Sequence, residues 1–273
     1  MQNFLIPVDF SPASRNAAAY AAQLAKVIGA KLLLFHAYML PTPVSEVPYV
    51  MVTADEMQKE NEELIRREAE FLHSQYGVEV EWLVRIGIAS DEVKALTKER
   101  SADIIIMGMK GAGGIEKIIG STTTNVIRKV RKPVLIVPHD ASYKRVSIVT
   151  YASDFSYKTS FHLFDPLIII IKQFQATLII LNVQLQHSGA KAEELVGKKD
   201  IEEIFKAIPH QFVSMEDHSV KTGINHYIQR NSSDMLVMVS HAHGFFERIF
   251  SKDHTTAMAY ETHIPMLVLQ DKD

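Results

Sequence analysis

The sequence predicts an α/β protein made of two tandem doubly wound domains, each built on a five-stranded parallel sheet. Two observations carry this prediction: short β-rich runs alternate with longer helical patterns, and the whole order of elements occurs twice. Continuous apolar runs such as Ile104–Ile106 suit a parallel sheet covered on both faces, and alternating β and α elements favour a doubly wound fold. The length of 273 residues is typical of two domains, at about 100–200 residues per domain.

An internal repeat organises the chain. Four segments recur in the same order: Asp9–Ser11 as Asp154–Ser156, Ala30–Leu34 as Ala176–Ile180, Ser101–Met107 as Ser232–Met238, and Lys132–Val137 as Ile264–Leu269. Four matches in one order are hard to obtain by chance. We therefore predict one domain over residues 1–140 and a second over residues 144–273.

The elements of the first copy follow from local patterns. Strands are predicted near Asn3–Val8, Leu32–Ala37, Glu79–Arg85, Asp103–Met107 and Val134–Val137, and helices near Ser14–Ile28, Asp55–Tyr76, Ser90–Glu99 and Thr123–Val130. Thr53 and Glu56 have the spacing of a capping box that opens the second helix. The proline-rich segment Tyr38–Val52 follows the second strand, at the edge where such folds bind ligands. It is either a stiff surface connection or a flap over a ligand.

Composition limits the classes of function. A net charge of −3 provides no global basic field for nucleic acid or anionic membrane. The absence of cysteine excludes disulfides, zinc thiolates and cysteine catalysis. The N-terminus resembles no signal peptide, and the apolar run Pro166–Ile171 is far shorter than the ~20 residues that span a bilayer. We expect a soluble cytoplasmic protein.

A glycine-rich loop, MGMKGAGGIEKIIGST, follows a buried strand and leads into a helix. It is neither a P-loop nor the G-x-G-x-x-G dinucleotide fingerprint. Gly108 and Gly111 would let backbone amides approach an anion closely, and the helix start that follows favours phosphate through its free N–H groups. The alternative is a tight turn only, with Ser121 or Thr122 as the helix N-cap.

These motifs resemble those of the universal stress protein family. Its ATP-binding members carry an Asp just after the first strand and a Gly-x-x-Gly-x9-Gly-Ser/Thr motif after the fourth. This sequence has Asp9 within LIPVDFS, and GMKG followed by Gly120-Ser121. The resemblance covers both copies and implies Rossmann-like domains that form a pseudo-dimer, with Val134–Val137 pairing against Met266–Leu269.

The resemblance implies an adenine-nucleotide site in the first domain. Val8 and Ala37 would contact adenine, partly through backbone atoms, and Asp9 would meet the ribose or the base. An alternative role for Asp9 is the N-cap of the first helix. The cofactor would be ATP, with Mg²⁺ as a candidate companion. The complete candidate set is Pro7, Val8, Asp9, Ala37, Met107, Gly108, Lys110, Gly111, Gly120, Ser121, Thr122 and Thr123.

Both copies depart from the family pattern. The spacer before Gly120 has eight residues instead of nine. The shorter spacer either weakens phosphate binding or is accommodated by the flexible glycines. In the second copy the three glycines correspond to Val239, Ala242 and Lys252, whose side chains would crowd a phosphate. We therefore expect the second copy to bind no ATP.

Histidines offer another kind of site in the second copy. His241 and His243 end its fourth strand, and His254 follows some ten residues later. Such a set could bind zinc or a similar metal. The alternative is that these histidines are surface residues of a degenerate nucleotide site.

The sequence shows no nucleophile–base pair, and no Walker lysine ends the glycine loop. We therefore expect no enzyme, and at most a slow ATPase. The expected role is nucleotide-linked stress response or signalling, with no nucleic-acid or membrane partner. A protein partner is unspecified, and a homodimer beyond the pseudo-dimer is left open. The two alternatives are a nucleotide-free scaffold with both sites degenerate and a histidine-based metal-binding module.

Overall fold

A computed structural model describes residues 2–40, 53–109, 121–155, 160–185, 192–241 and 263–271. The first half runs β1 (Asn3–Pro7), α1 (Pro12–Ile28), β2 (Lys31–Tyr38), α2 (Ala54–Tyr76), β3 (Val80–Ile86), α3 (Ala89–Glu99), β4 (Ile104–Met109), α4 (Ser121–Lys129) and β5 (Val134–Pro138). The second half runs β6 (Ile148–Ala152), a 3₁₀ turn (Phe161–Phe164), α5 (Asp165–Phe174), β7 (Thr177–Leu185), α6 (Ala192–Phe205), β8 (His210–Asp217), α7 (Val220–Arg230), β9 (Met235–His241) and β10 (Met266–Asp271). Most of the proline-rich segment predicted to be a connection or a flap lies outside the described residues.

One ten-stranded sheet joins the two halves, in the order β3-β2-β1-β4-β5-β10-β9-β6-β7-β8. Strands within each half are parallel, whereas β5 and β10 pair antiparallel, with Leu135 opposite Leu267. The predicted doubly wound α/β fold is confirmed, and the predicted pairing between the last strands is present. In each half the strand order reverses beside the first strand, which creates a switch point at the carboxyl edge.

Apolar side chains cover both faces of the sheet. Helices α1, α2, α5 and α6 contribute to the cluster on one face, and α3, α4 and α7 contribute to the cluster on the other. Ile104, Ile105 and Ile106 are completely buried, as a strand covered on both sides requires. Within the part of the chain described here, no helix combines the length and apolarity needed to cross a bilayer.

Local signals set the helix boundaries. Ser11 is the N-cap of α1, Pro12 is its first residue, and Gly29 ends it in the left-handed conformation with φ of 77°. Thr53 and Glu56 form the predicted capping box of α2. These caps explain why the observed helix ends lie close to those predicted from sequence.

Asn16 on α1 anchors the connection between the two halves. Its side-chain amide donates hydrogen bonds to the carbonyl oxygens of Pro138, at 2.8 Å, and Ala141, at 2.9 Å. On the neighbouring helix α5, the Gln173 amide donates to the Val27 carbonyl at 2.8 Å. Helix α1 therefore holds both the connecting segment and the first helix of the second half.

Replacing Asn16 with alanine is expected to lower the free energy of unfolding by about 1–3 kcal/mol, because two partly buried carbonyl groups lose their donor. The matched control is Gln23→Ala on the same helix, since among the described residues the Gln23 amide donates only to the Ala19 carbonyl of its own helix. Urea unfolding of the full chain measures both variants. Equal losses of stability in the two would contradict an anchoring role for Asn16.

Candidate functional site

A cavity of about 340 Å³ lies at the carboxyl ends of β1 and β4, at the switch point of the first half. Its walls come from β1, β2, β4 and the first turns of α1, α3 and α4. The lining residues are Pro7, Val8, Asp9, Ser11, Ala13, Ser14, Phe35, Ala37, Ala89, Met107, Gly108, Thr122 and Thr123. Doubly wound folds bind their ligands at this place.

The cavity brings together eight of the twelve candidate residues: Pro7, Val8, Asp9, Ala37, Met107, Gly108, Thr122 and Thr123. Lys110, Gly111 and Gly120 lie outside the described residues, as does the short spacer between the last two. Ser121 is the first residue of α4, and its side chain is also outside the described part.

Five lining residues were not predicted from sequence. Ser11, Ala13 and Ser14 belong to the N-cap and first turn of α1, and the Ser-Pro pair that opens this helix would have indicated them. Phe35 and Ala89 carry no motif. They border the cavity only because β2 and the start of α3 reach the same edge of the sheet.

Asp9 is held firmly at the cavity wall. Its Oδ1 accepts the backbone N–H of Ser11 at 3.1 Å and the Ser11 hydroxyl at 2.5 Å. Ser11, and not Asp9, is the N-cap, because its Oγ accepts the backbone N–H of Ser14 at 3.3 Å. The alternative prediction that Asp9 caps the first helix is therefore wrong, and the two hydrogen bonds fix the position of its carboxylate.

Gly108 has a packing role that the sequence did not indicate. A Cβ atom at this position would lie 2.4 Å from the carbonyl oxygen of Ala13, so β4 and the start of α1 are in close contact here. The Thr123 hydroxyl lies 3.5 Å from the Gly108 carbonyl oxygen and ties α4 to the same point. The glycine thus allows two helix N-termini to converge on the cavity, where their free N–H groups favour an anion.

The second half differs at the equivalent position. Buried Val239 stands where the first half has Gly108, and α6 lies directly against the carbonyl of Phe155, since a Cβ at Gly197 would be 2.0 Å from that oxygen. Ala242 and Lys252, which replace the other two glycines, lie outside the described residues. The absence of ATP binding in this half remains a prediction.

A larger cavity of about 390 Å³ lies at the junction of the halves, at the amino ends of β9 and β10. Its lining includes Tyr20, Asp140, Asp234 and His263, and none of the candidate site residues. The smaller cavity is the better candidate because it has both the predicted residues and the helix N-termini.

The histidine metal hypothesis remains a prediction. His241 is the last residue of β9, its side chain is not described, and His243 and His254 fall outside the described residues. Within the described ranges, no group of three or more histidine, aspartate or glutamate side chains is arranged to hold a metal ion.

A different histidine cluster lies at the end of β8. The buried carboxylate of Asp217 contacts Nδ1 of His226 at 2.9 Å and Nδ1 of His218 at 2.6 Å, and it accepts the His218 backbone N–H at 2.8 Å. Burial raises the pKa of the Asp217 carboxyl, but the histidine and backbone hydrogen bonds lower it more, so the pKa lies below the usual 3.8.

Asp217→Asn is expected to destabilise the protein near neutral pH, with a difference from wild type that shrinks between about pH 5 and about pH 2. A carboxyl group whose pKa is lower in the folded state stabilises the fold above its unfolded pKa. This contribution is lost as pH falls through the folded pKa. Thermal unfolding across this range tests the prediction, with exposed Glu202→Gln as the control. A difference independent of pH would contradict it.

Comparisons with known proteins agree with the fold and the motifs. The profile of the Universal stress protein family matches residues 1–138 and again residues 142–270. A universal stress protein of Methanocaldococcus jannaschii is 27% identical over 144 residues, which cover 50% of this chain and 81% of that protein. A universal stress protein of Synechocystis is 30% identical over 139 residues, covering 50% of this chain and 85% of that protein.

The whole architecture also has a counterpart among solved structures. A universal stress protein from Archaeoglobus fulgidus aligns over 99% of this chain and 98% of its own, with a TM-score of 0.77 and 19% identity. This likeness supports the fold, and the two profile matches cover nearly the complete sequence. The chain therefore belongs to the universal stress protein family, as a tandem two-domain member.

Proposed function

We propose that the first half binds an adenine nucleotide, ATP with Mg²⁺, and that the protein acts in stress response or signalling rather than in catalysis. One observation carries the proposal: eight residues chosen from motifs far apart in the sequence border a single cavity at the switch point. In this proposal the domains span residues 1–140 and 144–273, and they work in the cytoplasm as a pseudo-dimer across β5 and β10.

The cavity offers a suitable group for each part of the ligand. Val8 and the backbone of Ala37 would contact the base, and the fixed carboxylate of Asp9 would accept a hydrogen bond from the ribose or the base. Thr122 and Thr123, in the first turn of α4, would meet the phosphates with backbone N–H groups and hydroxyls.

The lining favours binding over turnover. Among the lining residues that the structure describes, Asp9 is the one ionisable side chain, and the Ser11 hydroxyl and N–H bond to it. General acid–base catalysis needs a group with a pKa matched to its task, usually a histidine or a perturbed carboxyl or lysine group. A nucleotide would therefore be held, with hydrolysis slow at most.

Calorimetric titration of the full chain with Mg-ATP tests the proposal. We expect one site per chain with micromolar affinity, and a matching rise in the thermal unfolding midpoint, because a ligand that binds only the folded state stabilises it. A parallel titration with EDTA in place of Mg²⁺ measures the contribution of the metal. No heat and no thermal shift would overturn the proposal and favour a nucleotide-free scaffold with both sites degenerate.

A further inference from the structure

Strands β1 and β2 separate at the wall of the cavity. The backbone hydrogen bonds of β2 alternate between its two neighbours. Odd-numbered residues of β2 face β1, and the Lys31 N–H donates to Gln2 O at 2.7 Å. Even-numbered residues face β3, and the Leu32 N–H donates to Glu79 O at 2.9 Å. The last bond between β1 and β2 joins Val8 N–H to Phe35 O at 2.8 Å. If the pattern continued, the next bond would join Ala37 N–H to Val8 O.

A side chain takes the place of that bond. Nδ1 of His36 lies 2.7 Å from the Val8 carbonyl oxygen. Because a carbonyl oxygen only accepts, Nδ1 must carry the hydrogen, in the neutral or the protonated ring alike. Within the described residues, neither N–H nor C=O of Ala37 bonds to β1, and Ala37 borders the cavity. The sheet therefore opens at Ala37 with one donor and one acceptor on the same strand edge.

The second half opens its sheet in the same way with a different residue. Ser153 N–H bonds to Leu181 O at 3.0 Å, and the buried side-chain amide of Asn182 then donates to Ser153 O at 3.0 Å. Asn182 is the counterpart of His36 in the internal repeat. Two chemically different side chains thus supply an N–H donor to the equivalent carbonyl oxygen in each half.

The surrounding aromatic rings hold the His36 ring in place. The centroid of the Phe10 ring lies 4.6 Å from that of His36, and the Tyr38 ring is parallel to it at 6.5 Å. The Tyr38 hydroxyl in turn donates to Gln58 on α2 at 2.7 Å. Phe10 has a φ of 59°, and this left-handed residue turns the chain away from β2 just after Asp9.

We propose that His36 is a positioning residue for nucleobase recognition and thereby sets a preference for adenine. By binding the Val8 carbonyl, it leaves the N–H and C=O of Ala37 available to a planar base. Adenine presents an acceptor, N1, beside a donor, its 6-amino group, and this order complements one N–H and one C=O. Guanine presents N1–H and O6, the reverse order. This inference rests on the proposed function.

Two variants at one position separate the role of the donor from that of the ring. In His36→Leu the donor is lost, and the Ala37 N–H is expected to move onto Val8 O and extend the ladder. His36→Asn replaces the imidazole donor with the side-chain amide that Asn182 provides in the second half. Hydrogen exchange of the Ala37 amide in the nucleotide-free full chain is expected to be fast in wild type and His36→Asn, and slow in His36→Leu.

Titration with Mg-ATP and Mg-GTP gives the second measurement. His36→Leu should lose about tenfold or more in ATP affinity, a loss on the scale of one hydrogen bond. It should also lose most of its preference for ATP over GTP. His36→Asn should stay within about threefold of wild type. Wild-type affinity and selectivity in His36→Leu would overturn the inference, as would a protected Ala37 amide in the wild-type protein.

The two measurements keep this inference distinct from the proposed function. If wild type binds neither nucleotide, the proposed function fails, and with it the role of His36 in base recognition. The exchange data alone then decide whether His36 opens the sheet. If wild type binds ATP but His36→Leu binds it equally well, the function stands and the positioning role fails.

Discussion

Gly108→Val is expected to cost at least about 1–3 kcal/mol of folding stability and to abolish nucleotide binding, because it overpacks a tight backbone contact. A Cβ atom at this position would lie 2.4 Å from Ala13 O and 2.6 Å from Ala13 C. The obstacle is backbone at the start of a helix, so no rotation of a side chain can relieve it. The helix must move away from β4, and the cavity wall moves with it.

Gly29→Ala is the matched control. Gly29 adopts a φ of 77° at the end of α1, and no heavy atom lies within 4 Å of a Cβ there. Its replacement should cost only the conformational strain, about 1–2 kcal/mol, and leave the cavity intact. Urea unfolding and Mg-ATP titration of both variants give the comparison. Wild-type binding by Gly108→Val would show that the contact between α1 and β4 does not shape the site.

Gly108 shows what the sequence can and cannot predict. Its place in a glycine motif indicated a role beside the ligand, and the structure does place it in the cavity wall. The contact with Ala13 was not predictable, because it depends on how closely α1 approaches β4. Val239 shows the same limit: the sequence marks it as a departure from the glycine motif, but only the structure shows that it is buried in the sheet.

Most elements of the fold were predictable because their signals are local. The capping box at Thr53 and the left-handed Gly29 define helix ends within a few residues of the chain. The pairing of β5 with β10 was implied by the family resemblance and is present in the sheet. The opening of the sheet at His36 was not predictable. Its signal is a single histidine, and the carbonyl group that it binds, that of Val8, is 28 residues away in the sequence, just after β1.

Asp9→Asn is expected to weaken Mg-ATP binding by about tenfold to a hundredfold, while Asp154→Asn in the second half should leave it unchanged. Hydrogen bonds to charged groups contribute about 1.5–3 kcal/mol, and each 1.4 kcal/mol corresponds to a factor of about ten in affinity. Both aspartates belong to the same Asp-Phe-Ser motif, and each precedes a left-handed phenylalanine, with φ of 59° and 56°. In the proposed function, the two aspartates differ mainly in that the nucleotide site surrounds Asp9 and not Asp154.

The substitution isolates the charge of Asp9. An asparagine oxygen can still accept the N–H and hydroxyl of Ser11, so the N-cap of α1 is preserved and the fold should change little. Titration with 2′-deoxyATP adds a second comparison. If the carboxylate meets the ribose 2′-hydroxyl, Asp9→Asn loses less affinity for 2′-deoxyATP than for ATP. Equal losses for both place the contact on the base or the 3′-hydroxyl. Equal behaviour of Asp9→Asn and Asp154→Asn would contradict a ligand role for Asp9 and leave the carboxylate as an acceptor for Ser11.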